Sequence, residues 1–97
     1  MQHVAEIHQR EFYQGDGVKA YELLTQTCKE TFSEKEYVAL SDFNQATPRE
    51  LVSVTARVDG SRGFVDTVWA APQEPDNNMP WVLEDGEWRN DDCRLRQ

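Results

Sequence analysis

The chain has 97 residues, of which 38% are hydrophobic, and its 18 acidic and 10 basic side chains give a formal net charge of −8. A chain of this length makes one domain, residues 1–97, with a small core and little stability to spare. The negative charge argues against nucleic acid as a partner, because a polyanion is repelled and the basic residues are scattered. No stretch of about 18 apolar residues is present, so no membrane-spanning helix is predicted.

Apolar residues at helical spacing predict two helices at the start of the chain. The first runs from about residue 3 to residue 13 and ends before Gly15-Asp16-Gly17. Asp16 is the predicted N-cap of the second helix, which runs from residue 18 to about residue 27 and leaves Cys28 at its end. The apolar side of this second helix is built on Val18, Tyr21 and Leu24.

A capping box predicts the start of a third helix. Ser33 and Glu36 are three residues apart, as the box requires, and Phe32 and Tyr37 flank them at the positions of a hydrophobic staple. The helix is expected to end near residue 44, before Pro48. Its predicted inward-facing residues are Tyr37, Leu40 and Phe43.

From residue 51 the apolar period changes from 3.6 to 2, which predicts two strands, 51–58 and 64–71, joined by a turn at 60–63. The short connection makes them an antiparallel pair. In the first strand one face consists of Val52, Val54, Ala56 and Val58. In the second strand one face consists of Val65, Thr67 and Trp69, and the opposite face of Phe64, Asp66 and Val68.

A closing hairpin follows a predicted loop at residues 72–78. Trp81 and Leu83 are two residues apart and share a face, Asp85-Gly86 supplies the tight turn, and Trp88 begins the returning strand. Residues 94–97 are predicted to be a frayed tail. Helices followed by a strand meander indicate an α+β fold, with about three N-terminal helices packed on one face of a curved antiparallel sheet of about four strands.

Cys28 and Cys93 are the only cysteines, and three interpretations of them stay open. A redox pair or a metal site is possible in principle, but CxxC spacing is absent and no histidine lies nearby in sequence. A single disulfide is the preferred interpretation, and it would tie the last strand to the helices. Such a bond requires an oxidising compartment.

Four stretches together resemble the small extracytoplasmic nuclear transport factor 2-like domains of actinobacteria, a family with a cone-shaped, cystatin-like fold. They are residues 15–17, 20–28, 33–37 and 81–93, the last ending in Asp-Gly-Glu-Trp-Arg with a trailing cysteine. The resemblance implies that Cys28 and Cys93 are paired. It also implies an extracytoplasmic location and a natural parent that carries a membrane anchor. Residues 1–6 lack the features of a signal peptide, so the signal or anchor is expected to be absent from this chain.

The fold alone assigns no activity, since the wider superfamily contains both enzymes and binding domains. The expected function is a non-enzymatic binding or dimerisation domain that uses the open sheet face, with a protein partner or a second copy as occupant. A small apolar ligand in the cone is a further expectation, and no cofactor is expected. The expected cavity or partner contacts are Trp69, Trp81, Trp88 and Tyr37.

The alternative is a small enzyme of isomerase or cyclase type. Asp66 lies in mid-strand, and if its face lined the cone, burial would raise its pKa and make it a general base. A tyrosine hydroxyl would then hold the developing oxyanion, from Tyr13, Tyr21 or Tyr37. The preferred interpretation is that Asp66 pairs with Arg57 or faces water.

Histidines and acidic residues give no predicted metal site. His3 and His8 are five residues apart on the first helix, which is not the spacing of a helical metal pair, and both are interpreted as solvated. If His8 pointed into the cone, it would be a proton-transfer group of the enzyme alternative. The acidic end of the chain lacks the spacing of a calcium-binding EF-hand loop.

Overall fold

Four helices from the first half of the chain pack against a four-stranded antiparallel sheet from the second half, in a computed structural model that describes residues 1–94. The helices are α1 (Gln2–Gln14), α2 (Gly17–Glu22), α3 (Gln26–Thr31) and α4 (Glu34–Gln45), and the strands are β1 (Leu51–Asp59), β2 (Arg62–Trp69), β3 (Asp76–Glu84) and β4 (Glu87–Asn90). The predicted α+β class is confirmed, with four helices rather than three. Residues 95–97 of the predicted tail lie outside the described part of the chain. Within that part, no helix is both long and apolar enough to cross a membrane.

The start of α4 has the predicted capping box. The Ser33 hydroxyl oxygen accepts from the Glu36 N–H at 3.1 Å, and the Glu36 carboxylate accepts from the Ser33 N–H at 2.9 Å. The rings of Phe32 and Tyr37 have centroids 5.5 Å apart, so the predicted staple is also present. Two otherwise unpaired N–H groups are satisfied and the chain enters the helix at a defined angle.

Replacing the capping serine, Ser33→Ala, is expected to lower the free energy of unfolding by about 1 kcal/mol, because the Glu36 N–H loses the hydroxyl oxygen that accepts its hydrogen bond at the helix start. Ser53→Ala is the matched control, since Ser53 is an exposed serine on the sheet. Urea unfolding followed by circular dichroism measures both. Equal losses in the two variants would contradict a capping role for Ser33.

The predicted second helix, residues 18–27, is two short helices, α2 and α3, and that prediction is wrong. Between them the backbone pairs with the end of β4: the Asn90 N–H donates to Leu23 O at 2.8 Å, and the Thr25 N–H donates to Asn90 O at 2.9 Å. The Thr25 hydroxyl then caps α3 by accepting from the Cys28 N–H at 3.3 Å. The break between α2 and α3 depends on pairing with Asn90, which is far along the chain, so helical periodicity could not predict it.

The strands form a meander in the order β1-β2-β3-β4. Asp85 and Gly86 join β3 to β4 with φ angles of 52° and 80°, the left-handed backbone that the predicted tight turn requires. β3 begins at Asp76, inside the segment predicted as a loop. The sheet is curled, so one face wraps around the core and the other turns outward.

The predicted faces of β2 are confirmed by burial. Val65, Thr67 and Trp69 are buried against the core, and the opposite residues are exposed or half-buried. We call this opposite side of the sheet the outer face. Because residues in register share a face, the pairings along β1, β2 and β3 place on it Ser53, Thr55, Arg57, Asp59, Arg62, Phe64, Asp66, Val68, Pro80 and Val82.

The assignment of Val52 to the inward face of β1 is wrong, because the register shifts. Leu51 pairs with Trp69, but Ser53 pairs with Val68, so the strand has one extra residue at Val52. Such a bulge interrupts the two-residue alternation. Leu51 takes the inward position and packs on the core, and Val52 is 60% exposed.

Two groups of buried side chains form the core. One lies among the helices and includes Phe12, Tyr13, Ala20, Leu24, Cys28, Phe32, Tyr37 and Trp69. The other lies between α1 and the sheet and includes Ala5, Val54, Val65, Met79 and Trp81. Phe43 does not join either group: it is 65% exposed, so its predicted inward position on α4 is wrong, while Leu40 is half-buried.

A disulfide joins Cys28 in α3 to Cys93, just after β4, with the two sulfur atoms 2.01 Å apart. The predicted pairing is therefore present. Cys28 is fully buried and belongs to the helical core group, so the bond anchors the end of the sheet inside the helical layer.

Candidate functional site

A buried polar cluster lies where α1, α4 and the end of the sheet meet. His8 Nε2 is 2.9 Å from the Tyr37 hydroxyl, and His8 Nδ1 is 3.0 Å from Gln9 Nε2. An amide NH₂ only donates, so Gln9 donates to Nδ1 and the other ring nitrogen of neutral His8 is left to donate to Tyr37. The arrangement suits an uncharged imidazole.

Burial sets the protonation of this cluster. Loss of solvent lowers the pKa of His8 from 6.5 to about 4, and the nearby Asp92 carboxylate opposes that change only weakly. Burial likewise raises the pKa of the Tyr37 hydroxyl. Both groups are therefore neutral near pH 7.

The histidines were expected to be solvated, and this is wrong for His8. His3 is exposed, but His8 is buried and lies 5.7 Å from the Trp81 ring, edge to face. The last residues of the sheet and α4 cover that side of α1. His8 therefore points into the cone, as the enzyme alternative requires of it.

The cavity beside the cluster has a volume of about 30 Å³. That is room for a water molecule, whereas sites for small organic ligands measure roughly 300–1,000 Å³. The large side chains that were expected to line a ligand cavity occupy its space instead. The cavity is lined by His8, Gln9, Phe12, Tyr13, Tyr37, Leu40, Met79, Asn90, Asp92 and Arg94.

Asp66 lies on the outer face of the sheet and not in the cone. Its carboxylate pairs with the Arg57 guanidinium and accepts from the Asn78 N–H at 2.8 Å. The Asn78 and Arg57 hydrogen bonds hold the pKa of Asp66 below its ordinary value. The condition for a raised pKa is not met, and the preferred pairing with Arg57 is confirmed.

The tyrosines of the enzyme alternative lie on the other side of the sheet from Asp66. The Tyr21 hydroxyl donates to the backbone oxygens of Lys29 and Phe32, both at 3.2 Å, which ties α2 to the end of α3. Tyr37 is bonded to His8. The structure thus brings His8 and Tyr37 together but separates both from Asp66, so a base and an oxyanion donor do not converge through these residues.

The predicted contact residues divide by burial. Trp69, Trp81 and Tyr37 are buried core residues. Tyr37 lines the small cavity beside His8, and Trp81 lies in the lining of a groove on the outer face. Trp88 is half-buried and packs on the core group between α1 and the sheet.

One group of close metal-ligand atoms occurs in residues 1–94: Cys28, Asp91 and Cys93. Both sulfur atoms are consumed by the disulfide, and zinc needs the thiolate. The Asp91 carboxylate accepts instead from the Thr25 hydroxyl at 2.8 Å. This group stabilises the junction between α3 and the sheet.

The outer face carries a groove of about 290 Å³, close to the lower end of the ligand-site range. Phe64, Pro80 and Val82 are its main apolar side chains, and Arg62 and Asp91 are charged residues in its lining. Phe64 is 36% exposed, and Val68, four residues further along β2 on the same face, is 40% exposed. Together these residues make an apolar surface bordered by one cationic residue, Arg62, and one anionic residue, Asp91.

The sequence pattern predicted part of the outer-face site, namely the residues that β2 contributes. The two-residue period placed Phe64, Asp66 and Val68 on one face, but nothing in that pattern says whether the face turns inward or outward. Pro80 and Val82 join them only through the β2–β3 register, Phe64 opposite Pro80 and Arg62 opposite Val82. That register depends on the fold.

Comparison with protein-family models and with curated proteins gave no match to this chain. The resemblance to nuclear transport factor 2-like domains therefore stays a prediction.

Proposed function

We propose that this chain is a non-enzymatic, disulfide-stabilised binding domain of an extracytoplasmic compartment, and that it holds a partner protein on the outer face of its sheet. The observation that carries the proposal is the groove of about 290 Å³ beside Phe64, on a sheet face whose apolar residues stay exposed. Exposed apolar patches with a charged border are typical of interaction sites.

The groove suggests the chemistry of the partner. Phe64, Pro80 and Val82 offer an apolar pocket for one anchoring side chain, and Arg62 offers a guanidinium for a carboxylate. A partner segment that carries an apolar residue next to Asp or Glu fits both. The Arg62 side chain is exposed and makes no hydrogen bond or ion pair among residues 1–94, so its guanidinium is available for such a contact.

A separate protein fits this face better than a second copy of the chain. Each copy of the chain carries a net charge of −8, which opposes the association of two copies through this face. Arg57 is neutralised by Asp66, so Arg62 is the guanidinium that an acidic segment of another protein would contact. If the domain is found to self-associate through the outer face, the occupant of that face is a second copy of the chain and not a separate protein.

The compartment is argued from the disulfide. Cys28 and Cys93 are bonded, and such bonds persist outside the reducing cytosol. The family resemblance supports the same location and belongs to the proposal. The small cavity and the outward position of Asp66 support a binding role over an isomerase or cyclase role.

A displayed random-peptide library tests the proposal. Selection on the oxidised wild-type domain is expected to enrich peptides with an apolar residue next to an acidic one. Phe64→Arg should weaken the selected peptides at least about tenfold, because it removes the anchor contact and narrows the groove. Arg62→Ala should weaken the acidic peptides specifically. Isothermal titration measures each affinity.

Phe43→Ala is the matched control, because Phe43 is also an exposed phenylalanine but lies on α4. It should leave peptide affinity unchanged. Selected peptides that bind Phe64→Arg as tightly as wild type, or a library that yields no binder, would contradict the proposal. Circular dichroism confirms that each variant is folded.

A further inference from the structure

β1 is an edge strand, because it pairs only with β2 in the sheet order. In an antiparallel pair, alternate residues turn their N–H and C=O groups away from the neighbour. In β1 these outward residues are Val54, Ala56 and Val58, since the Ala56 N–H bonds to a group outside the sheet. An edge of this kind is a template for another strand.

The middle of that edge is occupied by a side chain. The Gln2 amide accepts from the Ala56 N–H at 2.9 Å and donates to Val54 O. It therefore uses two of the backbone groups that an added strand would use. Gln2 is held in place by its position in the first turn of α1 and by a hydrogen bond to Glu6 at 2.9 Å.

The two ends of the edge are apolar and exposed. Val52 is 60% exposed and Val58 is 54% exposed, so the strand presents β-branched side chains on both sides of the Gln2 contact. Charged residues and prolines are the usual protection of an edge. Here β1 has Arg57 and Asp59 near one end, and the amide of Gln2 guards the middle.

We propose that the outer edge of β1 is a pairing site for β1 of a second copy of this chain, and that the Gln2 amide holds the edge closed in the monomer. The pairing would be antiparallel around a two-fold axis and would join two four-stranded sheets into one. The site is separate from the outer-face groove, and the inference goes beyond the proposed function.

The sequence of β1 is compatible with pairing to itself. Centred on Ala56, the register places Val54 opposite Val58 of the other copy and Thr55 opposite Arg57. Ser53 falls opposite Asp59, so no like charges face each other across the strands. The two Val54–Val58 pairs would lie on one face of the joined sheet, on the same side as the core.

Opening the edge gains few hydrogen bonds, and the gain is opposed by charge repulsion between the copies. Three facing pairs of outward residues would exchange two bonds each, six in all, while two Gln2 side chains would give up two each, four in all. The gain is small, and each copy carries a charge of −8, which opposes association. Association should therefore be weak in the wild type and should strengthen with added salt.

The variant Gln2→Ala tests the inference. It removes the amide but keeps a good helix former in α1. Hydrogen exchange, measured at a protein concentration low enough to keep the variant monomeric, is expected to speed up at the Ala56 amide. Sedimentation equilibrium at higher concentration should show a dimer at least about tenfold tighter than in wild type. Gln14→Ala is the matched control: Gln14 lies on the same helix and its amide donates to Arg49 O, which precedes β1. It should behave as wild type.

A second substitution tests whether the dimer forms through the edge of β1. Val58→Lys in the Gln2→Ala background places a charge on the edge and should weaken the dimer at least about tenfold. Phe64→Arg, in the outer-face groove, should leave this dimer unchanged. The inference is overturned if Ala56 exchange does not change, if Gln2→Ala associates no more tightly than wild type, or if its dimer survives Val58→Lys.

Discussion

Removing the disulfide, by Cys28→Ala with Cys93→Ala, is expected to lower the free energy of unfolding by about 4 kcal/mol. The two cysteines are 65 residues apart, so the bond closes a loop of two thirds of the chain in the unfolded state. Loop-closure entropy gives this magnitude. Because the free energy of unfolding of a small domain is about 5–15 kcal/mol in total, the variant should be only marginally stable.

Urea unfolding of three samples measures the effect. The oxidised wild type should unfold at the highest urea concentration, and the reduced wild type and the double variant should unfold together at a lower one. Adding reductant to the double variant is the control and should change nothing. A loss of less than about 1 kcal/mol would show that the connection between α3 and the end of β4 is stable without its covalent bond.

The second large effect is expected in mild acid. The folded-state pKa of His8 is about 4 and its ordinary value is 6.5, so below pH 6.5 the unfolded chain binds a proton that the folded chain excludes. The stability that His8 provides as a neutral group is complete above pH 6.5 and is lost as pH falls toward 4. The whole window corresponds to about 3 kcal/mol.

The surroundings of His8 explain why its pKa is lowered and not raised. From α4 the neutral Tyr37 hydroxyl faces the ring, from α1 the Gln9 amide donates to it, and after the end of β4 the Asp92 carboxylate acts on it as a negative charge. Asp92 favours the protonated ring but is already paired with Arg94 at 2.9 Å. Burial outweighs this attraction, because a charged imidazole loses its hydration.

Urea unfolding between pH 7.5 and pH 5 measures how steeply the free energy of unfolding changes with pH, in the range where carboxylates contribute least to that change. Asp66 has a lowered pKa, so its stabilising effect is lost only as pH falls through 3.8 and below. His8→Gln should flatten the slope, since glutamine can still bond to Tyr37 but does not titrate. His3→Gln, at an exposed position on the same helix, should keep it. An unchanged slope in His8→Gln would assign the acid sensitivity to another group.

Local features were predictable because neighbours in sequence decide them. The capping box at Ser33 and Glu36 closes within three residues, and the staple between Phe32 and Tyr37 within five. The turn at Asp85-Gly86 depends only on which residues tolerate a positive φ. Two-residue alternation placed Val65, Thr67 and Trp69 together in the core because a strand has that geometry in any fold.

Features that depend on distant partners were not predictable in the same way. The helix break at residues 23–25 exists because Asn90 pairs there, and the bulge at Val52 exists because Leu51 must meet Trp69. His8 is polar and lies on a helix with an exposed histidine, so its burial depends on which elements cover that side of α1.

The α+β class, the helix start at Ser33, the closing turn and the cysteine pair available for a bond can be read from the residues alone, because each rests on periodicity, local backbone preference or residue count. Three features depend on how the elements pack: the direction of the face that carries Phe64 and Asp66, the neutral cluster around His8, and the contact of Gln2 with the edge of β1. Burial and hydrogen-bond partners are set by elements distant in the chain, and a strand's alternation is the same whichever of its faces turns toward the core.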